Sequence, residues 1–230
     1  MFQLSLLQAV SDWQRDGDHE QKLKRGNSLK ACVSGIDQRF RTCDALCFRQ
    51  EAHETDRTFK LLAGCGLPER IASWTLDLEV AKNLKNGVPP EGLQGVIFSI
   101  IPPKDSVVVN LDALYSDPEF CAAMEKHKSK INYYQDGAGK WMNSQREVII
   151  ELENLNATDI ECYGGYAGDI DHLVVDFVAL HHHFPTENNL LELSLRAGKA
   201  WWLSKDGTQS VLKRMQPRIE AIKKNRRLPE

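Results

Sequence analysis

Leu4, Leu7, Val10 and Trp13 recur at helical spacing and predict an apolar face on a polar, helical segment running from residue 1 to about 38. Gly26-Asn27-Ser28 predicts a break in it between Lys22 and Ser28. The pattern then changes period. Short β-branched or apolar runs at Ala45–Arg49, Ile71–Thr75, Val96–Ile101, Val107–Val109, Glu147–Leu152 and Ile160–Tyr163 predict strands. Between them, Glu51 to Arg70 reads as a polar loop. Asp77 caps a helix that Gly87-Val88-Pro89-Pro90 ends, and Leu111 to Lys128 is helical with an interruption near Ser116-Asp117-Pro118. Gln135 to Lys140 reads as a glycine-containing loop. Helices at Leu173–His183, Glu187–Lys205 and Ser210–Arg227 close the chain. Grouped strands flanked by helices predict an α+β fold, divided into a helical segment 1–40, a core 41–165 and a helical extension 166–230.

The 230 residues are long enough for one sizeable core, and 42% apolar with 27% charged residues is ordinary globular composition. No apolar run reaches the length of a membrane span, and the first residues lack a basic region, so a cytoplasmic location without a membrane partner is expected. Six scattered cysteines form no paired spacing and predict free thiols rather than a metal or disulfide framework. The His181-His182-His183 tract does not change this, because adjacent helical residues point in different directions. The net charge of −3 hides an asymmetry. From Arg196 onward ten Lys/Arg face three Asp/Glu, a surplus of seven, so the first 195 residues carry −10. That basic end suits a nucleic acid, a membrane surface or an acidic partner, or is a solvated helix face.

Three short motifs carry candidate chemistry. Cys47-Phe48-Arg49-Gln50 ends a strand in a guanidinium, whose fork of donors fits phosphate oxygens; taken alone, a surface ion pair is the simpler explanation. Ser73-Trp74-Thr75 precedes a helix, and its hydroxyls serve either a site or a cap. Gln145-Arg146-Glu147 opens an apolar strand, where alternation predicts Gln145 and Glu147 on one face and Arg146 on the other. No G-x-G-x-x-G follows a strand, which argues against a Rossmann nucleotide site.

In this order the three motifs, across residues 41 to 165, resemble the Arg-Ser-Glu class of mono-ADP-ribosyltransferases. The resemblance implies two small, nearly perpendicular sheets with an NAD cleft between them, and NAD as co-substrate without a metal. It implies that Arg49, Gln50, Ser73 and Thr75 hold NAD, and that Glu147 stabilises the oxocarbenium ion formed as nicotinamide leaves. Gln145 would face the incoming nucleophile. An amide offers donor and acceptor together, so Gln-x-Glu is similar to branches modifying a nucleobase or an asparagine rather than an arginine. Trp141 and Met142 occupy the target-contacting stretch, and Tyr133, Tyr134 and Trp141 offer a stacking surface for a base. A bacterial toxin or defence effector acting on RNA or DNA is therefore expected, with an antitoxin protein covering the cleft or the 135–145 loop. Modification of a protein side chain such as asparagine is the alternative. A non-catalytic binding module on the same fold is the second alternative.

Overall fold

The structure is a computed structural model that describes residues 2–87, 89–90, 92–142, 144–165, 168–199 and 201–226. Its elements are helices mixed with short antiparallel strands. In chain order they are α1 (Leu4–Gln14), α2 (His19–Cys32), β1 (Cys47–His53), α3 (Thr55–Leu62), β2 (Leu67–Pro68), β3 (Ile71–Thr75), α4 (Leu78–Asn83), β4 (Gln94–Ile100), β5 (Val107–Asn110), α5 (Leu111–Tyr115), α6 (Pro118–His127), α7 (Ala138–Trp141), β6 (Glu147–Glu151), β7 (Asn154–Leu155), β8 (Ile160–Gly164), α8 (Ile170–His181), α9 (Glu187–Arg196) and α10 (Lys205–Arg226). The chain divides into two compact units. The first comprises Met1–Phe48, Pro68–Leu78 and Ile100–Asn154; the second comprises Arg49–Leu67, Glu79–Ser99 and Leu155–Glu230.

In the first unit β6 lies between β5 and β3, antiparallel to both. Val148, Ile149 and Ile150 of β6 are fully buried, as a central apolar strand should be. Leu6, Leu7, Val10 and Trp13 of α1 join Leu29 of α2, Leu111 and Leu114 of α5, and Phe120 and Met124 of α6 in one core with Val109 and Ile149. The helical break falls at Arg15–Asp18, not at Lys22–Ser28. Asp18 caps α2 by accepting from the Gln21 N–H at 2.8 Å. Gly26 sits buried inside α2 because a Cβ there would lie 3.1 Å from both Trp13 Cζ3 and Ile71 Cγ2. The glycine is a close-packing residue rather than a breaker.

In the second unit β4 pairs with β8, matching Val96 to Tyr163 and Ile97 to Cys162. Thr208 of α10 is fully buried and its hydroxyl accepts from the Tyr163 N–H at 3.1 Å. Lys205 and Ser99 both bind the Glu161 carboxylate at 2.8 Å. The stretch from Glu51 to Arg70 is not a loop. β1 continues to His53 and α3 follows. The predicted helix Glu187–Lys205 ends at Arg196, and Trp202 instead bridges Gly164 and donates to the Lys82 carbonyl at 3.1 Å. The C-terminal end of the basic tail, 227–230, lies outside the described residues. No helix among the described residues is long and apolar enough to cross a membrane.

Candidate active site

Glu147 opens β6 and is 6% exposed. Thr75 lies opposite Glu147, and Phe48 lies opposite Thr75, so one row crosses three strands of the first unit. Ser73, two residues back on β3, is diagonal to Glu147 on the same face. Its hydroxyl donates to Glu147 Oε1. The Thr75 hydroxyl donates to the Gln145 carbonyl at 2.7 Å and accepts from the Asp77 N–H at 3.1 Å, tying the end of β3 to the turn before β6.

Two further donors come from the last turn of α1. The Trp13 indole N–H donates to Glu147 Oε1 at 2.8 Å, and the Gln14 amide donates to Oε2 at 3.2 Å. Gln14 is held in turn by Tyr115 of α5, whose hydroxyl donates to the Gln14 Oε1 at 2.7 Å. Burial pushes the Tyr115 pKa up, and the nearby Glu147 charge pushes it further, so the phenol remains a donor. Lys22 donates to the Trp13 carbonyl at 2.9 Å, which covers the exposed end of α1. A carboxylate offers about four acceptor positions. Here Ser73 and Trp13 take both positions on Oε1, and Gln14 takes one on Oε2.

Gln145 does not belong to the strand. Arg146 has a φ of 45°, a left-handed turn that ends the alternation, and its Nε lies 3.5 Å from Asp112. Gln145 and Glu147 nevertheless border one cavity of about 10 Å³ with Gln14, Asp112, Tyr115, Trp141 and Arg146. That volume takes about one water or hydroxyl, not a dinucleotide. Met142 is exposed at 37% and does not border this cavity; the Lys140 ammonium lies 4.6 Å from the Trp141 ring centre. The segment from 135 to 140 is built from turns and α7 rather than open loop. It is seated on α1 at Gly137, where a Cβ would lie 2.1 Å from the Ser11 carbonyl oxygen. Tyr133 is 61% exposed and stacks against the Arg15 guanidinium, 3.8 Å from the ring centre.

Arg49 and Gln50 belong to the second unit, on β1. Arg49 Nε donates to Glu51 Oε1 at 2.9 Å, while His53 Nε2 lies 2.7 Å and Arg57 3.3 Å from Glu51 Oε2. Burial alone would raise the Glu51 pKa. The His53 hydrogen bond and the Arg49 charge outweigh it and hold the carboxyl down to about 2. His53 is 1% exposed and its Nδ1 has no hydrogen-bond partner. All six cysteines are free thiols, with Cys43 and Cys47 sulfurs 3.6 Å apart. Among the described residues no cluster of three His, Cys, Asp or Glu could hold a metal ion.

Ser73, Thr75, Gln145, Trp141 and Glu147 are thus gathered in the first unit. Trp13, Gln14 and Tyr115 are the partners that local sequence reading misses. Trp13 reads there only as an apolar helix position, and 134 residues separate it from Glu147. Compared with protein-family models, curated proteins and solved structures, the chain has no match.

Proposed function

We propose that the chain is an NAD-dependent mono-ADP-ribosyltransferase in which Glu147 is the catalytic carboxylate. One observation carries the reading: the Ser73 hydroxyl bonds Glu147 across adjacent strands, with Thr75 directly opposite Glu147. The chemistry needs a carboxylate that stays aimed while charge develops. The bond between ribose C1′ and nicotinamide breaks, and its electron pair leaves with the neutral nicotinamide. The resulting oxocarbenium ion is stabilised by the fixed Glu147 charge, which has no reorganisation left to undergo. An acceptor lone pair then closes on C1′, and the acceptor's proton passes to solvent. The Gln145 amide cannot take that proton, so it orients the acceptor instead.

We assign a nucleic-acid base as acceptor. Gln145 has amide complementarity to a base edge, and exposed Tyr133 and the partly exposed Trp141 offer aromatic faces. The resemblance gives Arg49 the NAD pyrophosphate, a group that suits the fork of donors on a guanidinium. An asparagine-type protein acceptor is the alternative, and a neutralising protein is the expected partner. The test is transfer of label from radiolabelled NAD into cell extract, followed by nuclease or protease digestion. Label released by nuclease supports the base acceptor, and label released only by protease replaces it with a protein.

A second reading is favoured by the burial of Glu147 under three donors. In it Glu147 is a structural pin between α1 and the strands, and the chain binds a partner without cleaving NAD. Under that reading Glu147→Gln lowers stability and changes no turnover.

A further inference from the structure

Gln14 has two orientations of nearly equal shape, because its amide oxygen and nitrogen can exchange places. In one the NH₂ faces Glu147; in the other the oxygen does, and two acceptors oppose each other. Glu147, which only accepts, sets this choice, and Tyr115 supports it from the other end of the amide. Its hydroxyl donates to the Gln14 oxygen at 2.7 Å and leaves the NH₂ turned toward Glu147 Oε2. The residues are 7% and 5% exposed, so no bulk water replaces either bond. Oε1 is already filled by Ser73 and Trp13. A hydroxyl that comes to Glu147 therefore finds its acceptor position on Oε2, beside Gln14 and on the cavity that Gln145 and Trp141 also border.

We propose that Tyr115 and Gln14 form a positioning relay that holds Glu147 Oε2 as the acceptor for the substrate ribose hydroxyl. The proposal rests on the reading of Glu147 as the catalytic carboxylate. Tyr115 hydrogen-bonds Gln14 rather than the carboxylate. It acts through Gln14, which fixes the carboxylate plane from one side while Trp13 and Ser73 fix it from the other. The relay runs from α5 through the last turn of α1 to the first residue of β6, three elements far apart in sequence.

Two conservative variants test it, Tyr115→Phe and Gln14→Met, each keeping the bulk of the side chain. Steady-state nicotinamide release from NAD is read together with the side-chain amide proton signals of Gln14, assigned by their disappearance in Gln14→Met. A buried bond to a charged acceptor is worth enough to lower kcat about tenfold when its orientation is lost, with KM within about twofold. Tyr115→Phe is expected to give that loss, to add nothing further in the Gln14→Met background, and to shift and broaden the Gln14 amide signals. An unchanged kcat in Tyr115→Phe, or losses that multiply in the double variant, overturns the relay. Should the native chain release no nicotinamide, the catalytic reading fails and the amide signals still decide the relay. Gln14 signals that move in Tyr115→Phe uphold the hydrogen-bonded device, and signals that stay in place overturn it.

Discussion

Replacing Gly26 by alanine sets two measurable effects against each other. In an exposed helix the change stabilises by about 1 kcal/mol, because glycine carries the larger backbone entropy. Here the new Cβ would lie 3.1 Å from Trp13 Cζ3, 3.1 Å from Ile71 Cγ2 and 3.2 Å from Ile71 Cβ. Comfortable carbon contacts are roughly 3.5–4.0 Å, so both neighbours must retreat. Trp13 is held by its indole bond to Glu147 at 2.8 Å, and Ile71 is β-branched and paired in β3 opposite Glu151. Overpacking of this kind costs about 1–3 kcal/mol. The net expectation is a loss of about 1 kcal/mol, or about 2–4 °C in Tm for a chain of this size. Gly35→Ala is the control, since a Cβ there meets nothing within 4 Å. Thermal melts of the two variants read the difference directly. Gly26→Ala melting higher than the native chain would refute the packing argument.

Glu51 is held from its ordinary 4.5 down to about 2, so it stabilises the fold above pH ~4.5 and loses that contribution as the pH falls toward 2. Its size is at most about 3 kcal/mol. Glu51→Gln should therefore be less stable than the native chain at pH 7, with the gap in urea midpoints narrowing by pH 3; a gap independent of pH would remove the ionic explanation. Thr208→Val takes away the buried acceptor of the Tyr163 N–H and should cost about 1–3 kcal/mol in urea unfolding, whereas a neutral result would mean that α10 is not held there. Arg49→Ala should weaken NAD binding about 10- to 100-fold by calorimetry, with Arg49→Lys restoring little, since an ammonium lacks the fork; unaltered affinity would place the pyrophosphate elsewhere.

Local pattern made the strands legible. β3, β4, β5, β6 and β8 coincide with β-branched or apolar runs, and the interruption expected near Ser116-Asp117-Pro118 falls where α5 gives way to α6, which Asp117 caps. Helix boundaries failed where a residue served tertiary packing. Gly26 looked like a breaker because nothing in its neighbourhood announces Trp13 and Ile71. α3 was hidden because only Phe59, Leu61 and Leu62 among its eight residues are apolar. The turn before β6 reads as strand from alternation alone, yet the left-handed Arg146 ends the strand at Glu147. Within the site, Ser73, Thr75, Gln145 and Glu147 could be nominated from short motifs. Their partners Trp13, Gln14 and Tyr115 could not, since the last turn of a distant helix meets the carboxylate only through the fold.

The central claim is that Glu147 acts on NAD, and nicotinamide release tests it most directly. The native chain and Glu147→Gln are compared at saturating NAD, with thermal melts confirming that both are folded. The native chain is expected to release nicotinamide, and the variant to lose about 10²–10³-fold in kcat, the scale of losing one preorganised electrostatic contact. Equal release by the two proteins would contradict the claim.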